Sequence, residues 1–296
     1  MNARLSATGA PTERPRVALV IGSGGLKCIA AFGAMKVLQR ESIPIDMVVA
    51  CSGGAFCGTW AADGGGDADA AASYFEKASH GMFGRLSYRG LLGLLLPKLF
   101  RFDELLGILH DAALNRGIRD FVGDRCFEDL KLPLHVVATD FDTGEKQVFS
   151  SGRLFDAIRA TVAIPLVFPP WPIGGRQMVD GAACDPLPID IAVREGADII
   201  IAMGFEESLQ SGSRSGMDLF LRLKTIVVNH LYRSQYAFYS LSHHAEVVPI
   251  IPEIPFPVGL GDAHLIPELV DLGAQATERE IGYLRRLLAA DAKTAA

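Results

Sequence analysis

The sequence predicts an α/β fold, a three-layer α/β/α sandwich in which helices cover both faces of a mostly parallel central sheet. Two continuous apolar runs, residues 16–21 and 198–203, are typical of strands that are buried on both faces of such a sheet. A shorter β-branched run at Val48 and Val49 predicts another buried strand. Helical patterns lie between these strands, and this alternation favours a parallel arrangement.

The remaining elements follow from periodicity and from turn residues. We expect a flexible tail over residues 1–15 and a single domain over 16–296, with no internal repeat. Predicted helices cover residues 28–40, 68–78, 102–114, 154–161, 189–195, 217–244 and 265–290. Predicted strands cover 132–140, 146–150 and 177–179, with a hairpin turn at 142–145, an extended proline-rich segment at 167–172, a Ser/Gly linker at 208–216 and a proline-broken run at 247–257.

Composition excludes several classes of protein. With 49% hydrophobic and 21% charged residues, the 296-residue chain can bury a sizeable core. A net charge of −6 gives no reason to expect nucleic acid as a partner. The five cysteines form no Cys-x-x-Cys pair, so neither a disulfide framework nor a zinc site is indicated. Without a secretory signal or an apolar run of about 20 residues, we expect a cytoplasmic protein, in peripheral contact with membranes at most.

A glycine-rich turn follows the first strand and precedes the first helix. In the run Gly22-Ser23-Gly24-Gly25-Leu26-Lys27, converging backbone N–H groups and a helix N-terminus would cradle an anion. A dinucleotide fingerprint would need glycine where Lys27 stands, and a phosphate loop would need Ser or Thr where Cys28 stands. An oxyanion hole is therefore the better interpretation.

A serine stands at the next strand-to-helix turn. Ser52 follows the strand around Val48, and small residues that could open a helix come after it, as in a nucleophile elbow. The consensus Gly-x-Ser-x-Gly is met in part, because Ala50 replaces the first glycine and Gly54 keeps the second. A right-handed βαβ crossover would bring this hydroxyl and the glycine-rich turn to the same edge of the sheet.

Several segments in order carry a resemblance to a known family. They are residues 19–27, 50–54 and 179–182, together with 138–140, 143–145, 157–161, 164–165 and 168–170 between them. This set resembles the patatin-like phospholipases, which are serine lipid acyl hydrolases. The similarity covers roughly residues 16–204, and the predicted C-terminal helical part, 217–290, has no secure match.

The resemblance implies a catalytic dyad without histidine. By position, Ser52 is the nucleophile, Asp180 its partner, and Gly24 and Gly25 supply the oxyanion amides. Four further residues support these motifs: Gly22, Lys27, Gly54 and Gly181. We expect Lys27 to be a solvated lysine at the start of the helix without a catalytic role. The implied substrate is a phospholipid or a lysophospholipid.

No cofactor or metal is expected. The candidate ligands Asp140, Asp142 and Glu145 are too few for a cation site and are typical of a turn, so catalysis should be independent of calcium. Three residues depart from the family pattern: Ala50, Cys28 and Ser23. Ala50 adds only a methyl group, whereas Cys28 would restrict the loop if its position needs a positive φ. These departures concern efficiency and substrate fit more than the class of reaction.

Two alternatives remain open at this stage. A Ser-Asp-His triad is formally possible because four histidines follow both residues: His230, His243, His244 and His264. A catalytically weak lipid-binding or scaffold protein is the second alternative. The joint retention of Ser52, Asp180 and both oxyanion glycines argues against it.

Residues 82–102 combine many leucines with four cations and no acid. These cations are Arg85, Arg89, Lys98 and Arg101. Such a segment suits an anionic lipid surface, so we predict that it forms the lipid-facing rim of the site. The other interpretation is a loop and helix that bury their leucines in the core.

Overall fold

A computed structural model describes residues 14–82, 87–88, 90, 92, 99, 105, 107–206, 216–241 and 245–294. Eight strands of these residues form one mixed sheet, in the order β5-β6-β3-β2-β1-β7-β8, with β4 paired to β3. They are β1 (Val17–Ile21), β2 (Met47–Cys51), β3 (Leu134–Asp140), β4 (Lys146–Phe149), β5 (Trp171–Ile173), β6 (Arg176–Asp180), β7 (Ile199–Met203) and β8 (Glu246–Ile250). The strands from β3 through β2, β1 and β7 to β8 pair in parallel, and the other pairs are antiparallel. The predicted mostly parallel sheet is confirmed.

Helices cover both faces of this sheet. They are α1 (Ala30–Arg40), α2 (Gly54–Ala62), α3 (Ala68–Met82), α4 (Ala112–Val122), α5 (Leu154–Thr161), α6 (Ile189–Arg194), α7 (Gly216–Leu241) and α8 (Ile266–Thr294). Alternate residues of β1 point to opposite faces: Leu19 packs in a core with α1–α5 and α8, and Val20 packs in a second core with α6 and α7. The three-layer prediction is therefore confirmed. Within the described residues, no helix is both long enough and apolar enough to span a bilayer.

The predicted helix at 102–114 is wrong over residues 107–111. Residues 107–111 are not helical, and α4 begins only at Ala112. The backbone of this segment forms hydrogen bonds with a distant part of the chain instead of helical ones. The N–H groups of Ile108 and Leu109 donate to the carbonyls of Leu166 and Val167, at 2.8 and 3.0 Å.

Two proline-rich segments also differ from expectation. The run at 247–257 contains all but the first residue of β8, a strand that the sequence does not predict because of the prolines. β8 is an edge strand of the sheet. Pro249 has no backbone N–H, which an edge strand tolerates because one of its sides pairs with no other strand. The segment expected to be extended from residue 167 instead has turns or bends through Phe168. The Ser/Gly linker lies outside the described residues except for Gly216, which begins α7.

Candidate active site

Ser52 occupies a strained turn at the carboxyl end of β2. Its φ is 53°, in the left-handed region that non-glycine residues rarely adopt, and α2 begins two residues later at Gly54. A left-handed L-residue costs roughly 1–2 kcal/mol, so the surrounding structure must hold it. A strand, a sharp turn at Ser52 and a helix thus follow one another, the backbone arrangement that the sequence predicts here.

Asp180 ends β6 and lies against Ser52. The Ser52 hydroxyl donates to Asp180 Oδ2 at 2.6 Å, and the Ala182 N–H donates to Oδ1 at 2.9 Å. Both Ser52 and Asp180 are only 4% exposed. The fold thus brings together two residues that are 128 positions apart in the chain.

The electrostatics of Asp180 suit a proton acceptor. Burial raises the pKa of its carboxyl above the ordinary value, although the hydrogen bonds from Ser52 and Ala182 and the charge of Lys224 act in the opposite direction. A carboxylate with a raised pKa binds a proton more readily, which is what a general base needs.

The glycine-rich turn lies directly against the elbow. A Cβ at Gly53 would lie 2.4 Å from the Gly25 carbonyl oxygen, and one at Gly54 would lie 2.6 Å from the Gly22 oxygen. Real Cβ atoms do not approach backbone so closely, so glycine permits this contact. Gly25 itself has a φ of 58°. Among the described residues, no acceptor takes a hydrogen bond from the N–H groups of Gly24 and Gly25.

Gly181 makes a similar close contact on the Asp180 side. A Cβ there would lie 2.3 Å from the Val137 carbonyl oxygen and 2.8 Å from Cys51 Sγ. Gly181 therefore lets the chain after Asp180 pack against the end of β2 and the middle of β3. This gives the predicted supporting glycine a physical reason.

The prediction that Lys27 is solvated is wrong. Its side chain is buried, with the residue 3% exposed, and its ammonium group donates to the Phe205 carbonyl at 3.2 Å. The 3-10 turn Gly25–Ile29 places Lys27 beside the residues that follow β7. Lys27 thus fastens the glycine-rich turn to the neighbouring strand end.

Tyr232 is a supporting residue that sequence reasoning missed. From α7, its hydroxyl donates to the Ser23 carbonyl, and it lies 3.2 Å from Ser23 Oγ. The Ser23 N–H donates to the Pro186 carbonyl at 2.8 Å. Ser23 therefore anchors the turn to the C-terminal part of the chain, and 209 residues separate it from Tyr232, so no local pattern could indicate the contact.

An apolar pocket opens beside Ser52. It encloses about 610 Å³ of space without protein atoms, including its opening to solvent. Most of its wall is aliphatic or aromatic, with Ser52 at one side. The lining residues are Gly25, Leu26, Ile29, Ser52, Gly53, Phe56, Phe75, Ser79, Leu114, Val162, Ile164, Phe168 and Leu260.

The candidate histidines are placed differently from Asp180. His230 and His264 are exposed, whereas Ser52 and Asp180 are buried. Neither histidine has a hydrogen bond to Ser52 or Asp180 in the described part of the chain. His243 and His244 lie outside the described residues.

Comparison with known proteins decides the family. A family model for patatin-like phospholipases matches residues 19–193, more than half of the chain. This chain belongs to the patatin-like phospholipase family. The matched stretch contains every predicted site residue: Gly22, Gly24, Gly25, Lys27, Ser52, Gly54, Asp180 and Gly181.

Relatives of this patatin-like protein are longer than the chain. An uncharacterized NTE family protein of Mycobacterium tuberculosis is 33% identical over 231 residues, which cover 78% of this chain and 59% of that protein. Patatin-like phospholipase domain-containing protein 6 of Homo sapiens is 30% identical over 189 residues, covering 63% and 13%. The crystal structure of VipD from Legionella pneumophila aligns with a TM-score of 0.49 at 12% identity, covering 95% and 69%. The chain thus spans 59% of the mycobacterial relative's length.

The departures from the patatin-like pattern are accommodated. The Ala50 methyl group faces Gly58 of α2, where a Cβ would lie only 2.8 Å from it. Cys28 lies in the 3-10 turn without a positive φ, and its thiol donates to the Gly22 carbonyl at 3.4 Å. Neither residue strains the turn, so the restriction expected for Cys28 does not arise.

Most of the predicted lipid-facing segment lies outside the described residues. In residues 82–102 all four cations, Arg85, Arg89, Lys98 and Arg101, lie outside the described residues. Of the residues in this segment that the structure describes, Tyr88 and Leu99 are each 75% exposed. Peripheral lipid contact through this segment stays a prediction.

Proposed function

We propose that this protein is a serine lipid acyl hydrolase of the phospholipase A or lysophospholipase type, working through a Ser52–Asp180 dyad. One observation carries the proposal, the 2.6 Å hydrogen bond between Ser52 Oγ and Asp180 Oδ2 in a buried site. The apolar pocket beside Ser52 supports an acyl chain as the group that is bound.

In the first half of the reaction the ester acylates Ser52. Ser52 Oγ attacks the carbonyl carbon of the lipid ester while Asp180 Oδ2 accepts the hydroxyl proton. The tetrahedral oxyanion is stabilised by the N–H groups of Gly24 and Gly25. Collapse of this intermediate breaks the bond to the alcohol, which takes the proton from Asp180 as it leaves.

In the second half water hydrolyses the acyl-enzyme. Asp180 accepts a proton from a water molecule that attacks the acyl carbonyl, and the same amides stabilise the second oxyanion. Ser52 Oγ then leaves, takes back the proton and restores the 2.6 Å contact. The products are a free fatty acid and the alcohol, and no step needs a metal.

Two observations favour the dyad over the alternatives. Both oxygens of Asp180 already accept hydrogen bonds, one from the Ser52 hydroxyl and one from the Ala182 N–H, so serine and carboxylate are in contact with no group between them. A triad would need an imidazole between serine and carboxylate. A scaffold protein would gain nothing from a buried carboxylate with a raised pKa against a strained serine, because both features reduce stability.

Replacing Ser52 tests the proposal. Ser52→Ala removes one oxygen atom at a turn, so we expect a folded protein with no turnover of a short-chain nitrophenyl ester and no labelling by a fluorophosphonate. Its melting temperature should fall by a few degrees at most, because Asp180 loses one hydrogen bond. Ser79→Ala is the matched control, because Ser79 lines the same pocket but its hydroxyl donates to the Phe75 carbonyl of its own helix. This control should be labelled and active. Wild-type turnover by Ser52→Ala would refute the assignment.

A further inference from the structure

One short segment holds both members of the dyad. Thr161, the last residue of α5, accepts a hydrogen bond at its Oγ1 from the Ser52 N–H at 2.7 Å. Two residues later, the Ala163 carbonyl accepts a hydrogen bond from the Asp180 N–H at 2.9 Å. Thr161 and Ala163 are both completely buried. Ser52 and Asp180 are thus fixed, through their backbones, by neighbouring atoms of residues 161–163.

The Thr161 hydroxyl is itself held in one orientation. It donates to the carbonyl of Val137, in the middle of β3, at 2.5 Å, while its lone pairs face Ser52. A hydroxyl has one donor and two acceptor positions, so this use of its bonds is chemically consistent. The hydroxyl therefore connects α5, β3 and the elbow after β2.

The last turn of α5, which carries Thr161, is itself held in place by a buried arginine. Arg159, two residues before Thr161, is completely buried and donates to Asn115 Oδ1 at 2.7 Å, Asp111 Oδ2 at 3.0 Å and the Pro169 carbonyl at 3.1 Å. Its guanidinium also lies 5.1 Å from the centre of the Trp171 ring. The end of α5 is therefore a rigid support on which a site can be aligned.

The bond to Thr161 matters because of the conformation of Ser52. At a φ of 53°, Ser52 would relax towards an ordinary conformation if its N–H were released. Such a relaxation would swing Oγ away from Asp180. The bond also occupies the Ser52 N–H, so this amide is not available to an oxyanion, which leaves that task to the glycine-rich turn.

We propose that Thr161 is a positioning residue, which holds the Ser52 backbone so that Oγ stays aligned with Asp180. This inference rests on the proposed function of Ser52. It predicts a defect in the chemical step rather than in substrate binding, because Thr161 does not line the pocket.

Three variants test the role of the hydroxyl. Thr161→Val keeps the shape but loses both hydrogen bonds, and Thr161→Ser keeps the hydroxyl. Thr59→Val is the matched control, because Thr59 is completely buried in α2 and its hydroxyl has no hydrogen-bond partner in the part of the chain that the structure describes. The measurements are kcat and KM with a short-chain nitrophenyl ester, the rate of fluorophosphonate labelling, and the melting temperature.

We expect Thr161→Val to lower kcat and the labelling rate by about 10- to 100-fold, the range that a misplacement of about 1 Å produces, with KM nearly unchanged. Thr161→Ser should restore most of kcat, and Thr59→Val should behave as wild type. If Thr161→Val does not fold, Thr161→Cys takes its place, since a thiol fills similar space but accepts hydrogen bonds weakly.

A lower melting temperature with unchanged kcat would overturn the proposal, since it would make Thr161 a stabilising residue only. A kcat of Thr161→Ser as low as that of Thr161→Val would also overturn it. Failure of the proposed function is distinguishable, because in that case Ser52→Ala would itself remain active.

Discussion

Glycine permits very close backbone contacts both at a helix crossing and at the candidate active site of this molecule. Where α1 crosses α8, a Cβ at Gly33 would lie 1.8 Å from the Val270 carbonyl oxygen, and one at Gly273 would lie 1.9 Å from the Ala30 oxygen. At the candidate active site, a Cβ at Gly53 would lie 2.4 Å from the Gly25 oxygen. By distance alone, the helix crossing is the tighter contact.

The helix crossing and the candidate active site differ in whether the nearby backbone N–H groups already have acceptors. Inside α1 and α8 the N–H groups donate along the helices, so the crossing offers packing and nothing to a ligand. At the active site the N–H groups of Gly24 and Gly25 have no acceptor among the described residues, and a buried carboxylate contacts the serine. A close glycine contact therefore indicates packing, and unbonded donors beside a buried acid indicate chemistry.

Removing the acid should give the largest effect on catalysis. Asp180→Asn keeps the shape and can still bond Ser52 and the Ala182 N–H, but it cannot accept the proton, so kcat should fall by about 1,000-fold or more. The melting temperature at neutral pH should stay level or rise, because a buried charge is removed. Activity within about tenfold of wild type would rule out Asp180 as the base. Alanine at His230 or His264 is the control and should keep most of the activity.

The pH dependence of the wild type follows from the same carboxyl. Its raised pKa means that the folded protein binds this proton more tightly than the unfolded chain does. Stability from this group is therefore greatest at low pH and is lost as pH rises through the folded-state pKa. Activity should move the other way, with an acid limb of kcat/KM above the ordinary aspartate value of 3.8. Asp180→Asn should flatten both dependences.

The second largest effect on kcat should come from a substitution that adds a methyl group where the turn at Ser52 contacts the glycine-rich turn. Gly53→Ala pushes the Gly25 carbonyl away, so the amides of Gly24 and Gly25 move relative to Ser52. Loss of one oxyanion donor lowers kcat by about 100- to 1,000-fold in other enzymes, and we expect a loss of that order. Fluorophosphonate labelling and kcat with a short-chain ester measure it. Wild-type kcat in a folded Gly53→Ala protein would remove the glycine-rich turn from the mechanism.

The sequence predicts the two turns at this candidate site because each depends on a local pattern. Ser52 stands between an apolar strand and a run of small residues, and Gly22–Gly25 follow another such strand, so each motif indicates its own turn. The burial of Lys27 was not predictable, because its acceptor is a carbonyl beyond β7. Likewise β8 was not predicted, because Pro249 interrupts its short apolar pattern. Only the pairing with β7 in the folded sheet identifies it as a strand.

Long-range support was beyond the reach of local patterns. The hydroxyl of Thr161 meets the Ser52 amide across 109 residues of chain, and only the packing of α5 against β3 determines that meeting. The sequence identifies Thr161 as part of a family-like segment but gives no reason for its chemistry. Motifs thus predict the residues proposed to react, whereas the groups that hold these residues become visible only in the fold.

The helix crossing provides the smallest expected effect on catalysis and the sharpest test of the comparison. Gly33→Ala gains about 1 kcal/mol in helix propensity, but its methyl group meets the Val270 carbonyl, a backbone atom that cannot turn aside. Since α8 must shift, overpacking of about 1–3 kcal/mol or more should dominate and lower the melting temperature by several degrees. Gly282→Ala in α8 is the matched control. Its Cβ would have only Arg286 Nη1 nearby, at 3.8 Å, so it should leave stability equal or higher. Both variants should keep wild-type kcat below their melting temperatures. If Gly33→Ala lowers kcat as much as Gly53→Ala does, the two contacts are not separate in function, and the distinction between packing and chemistry fails.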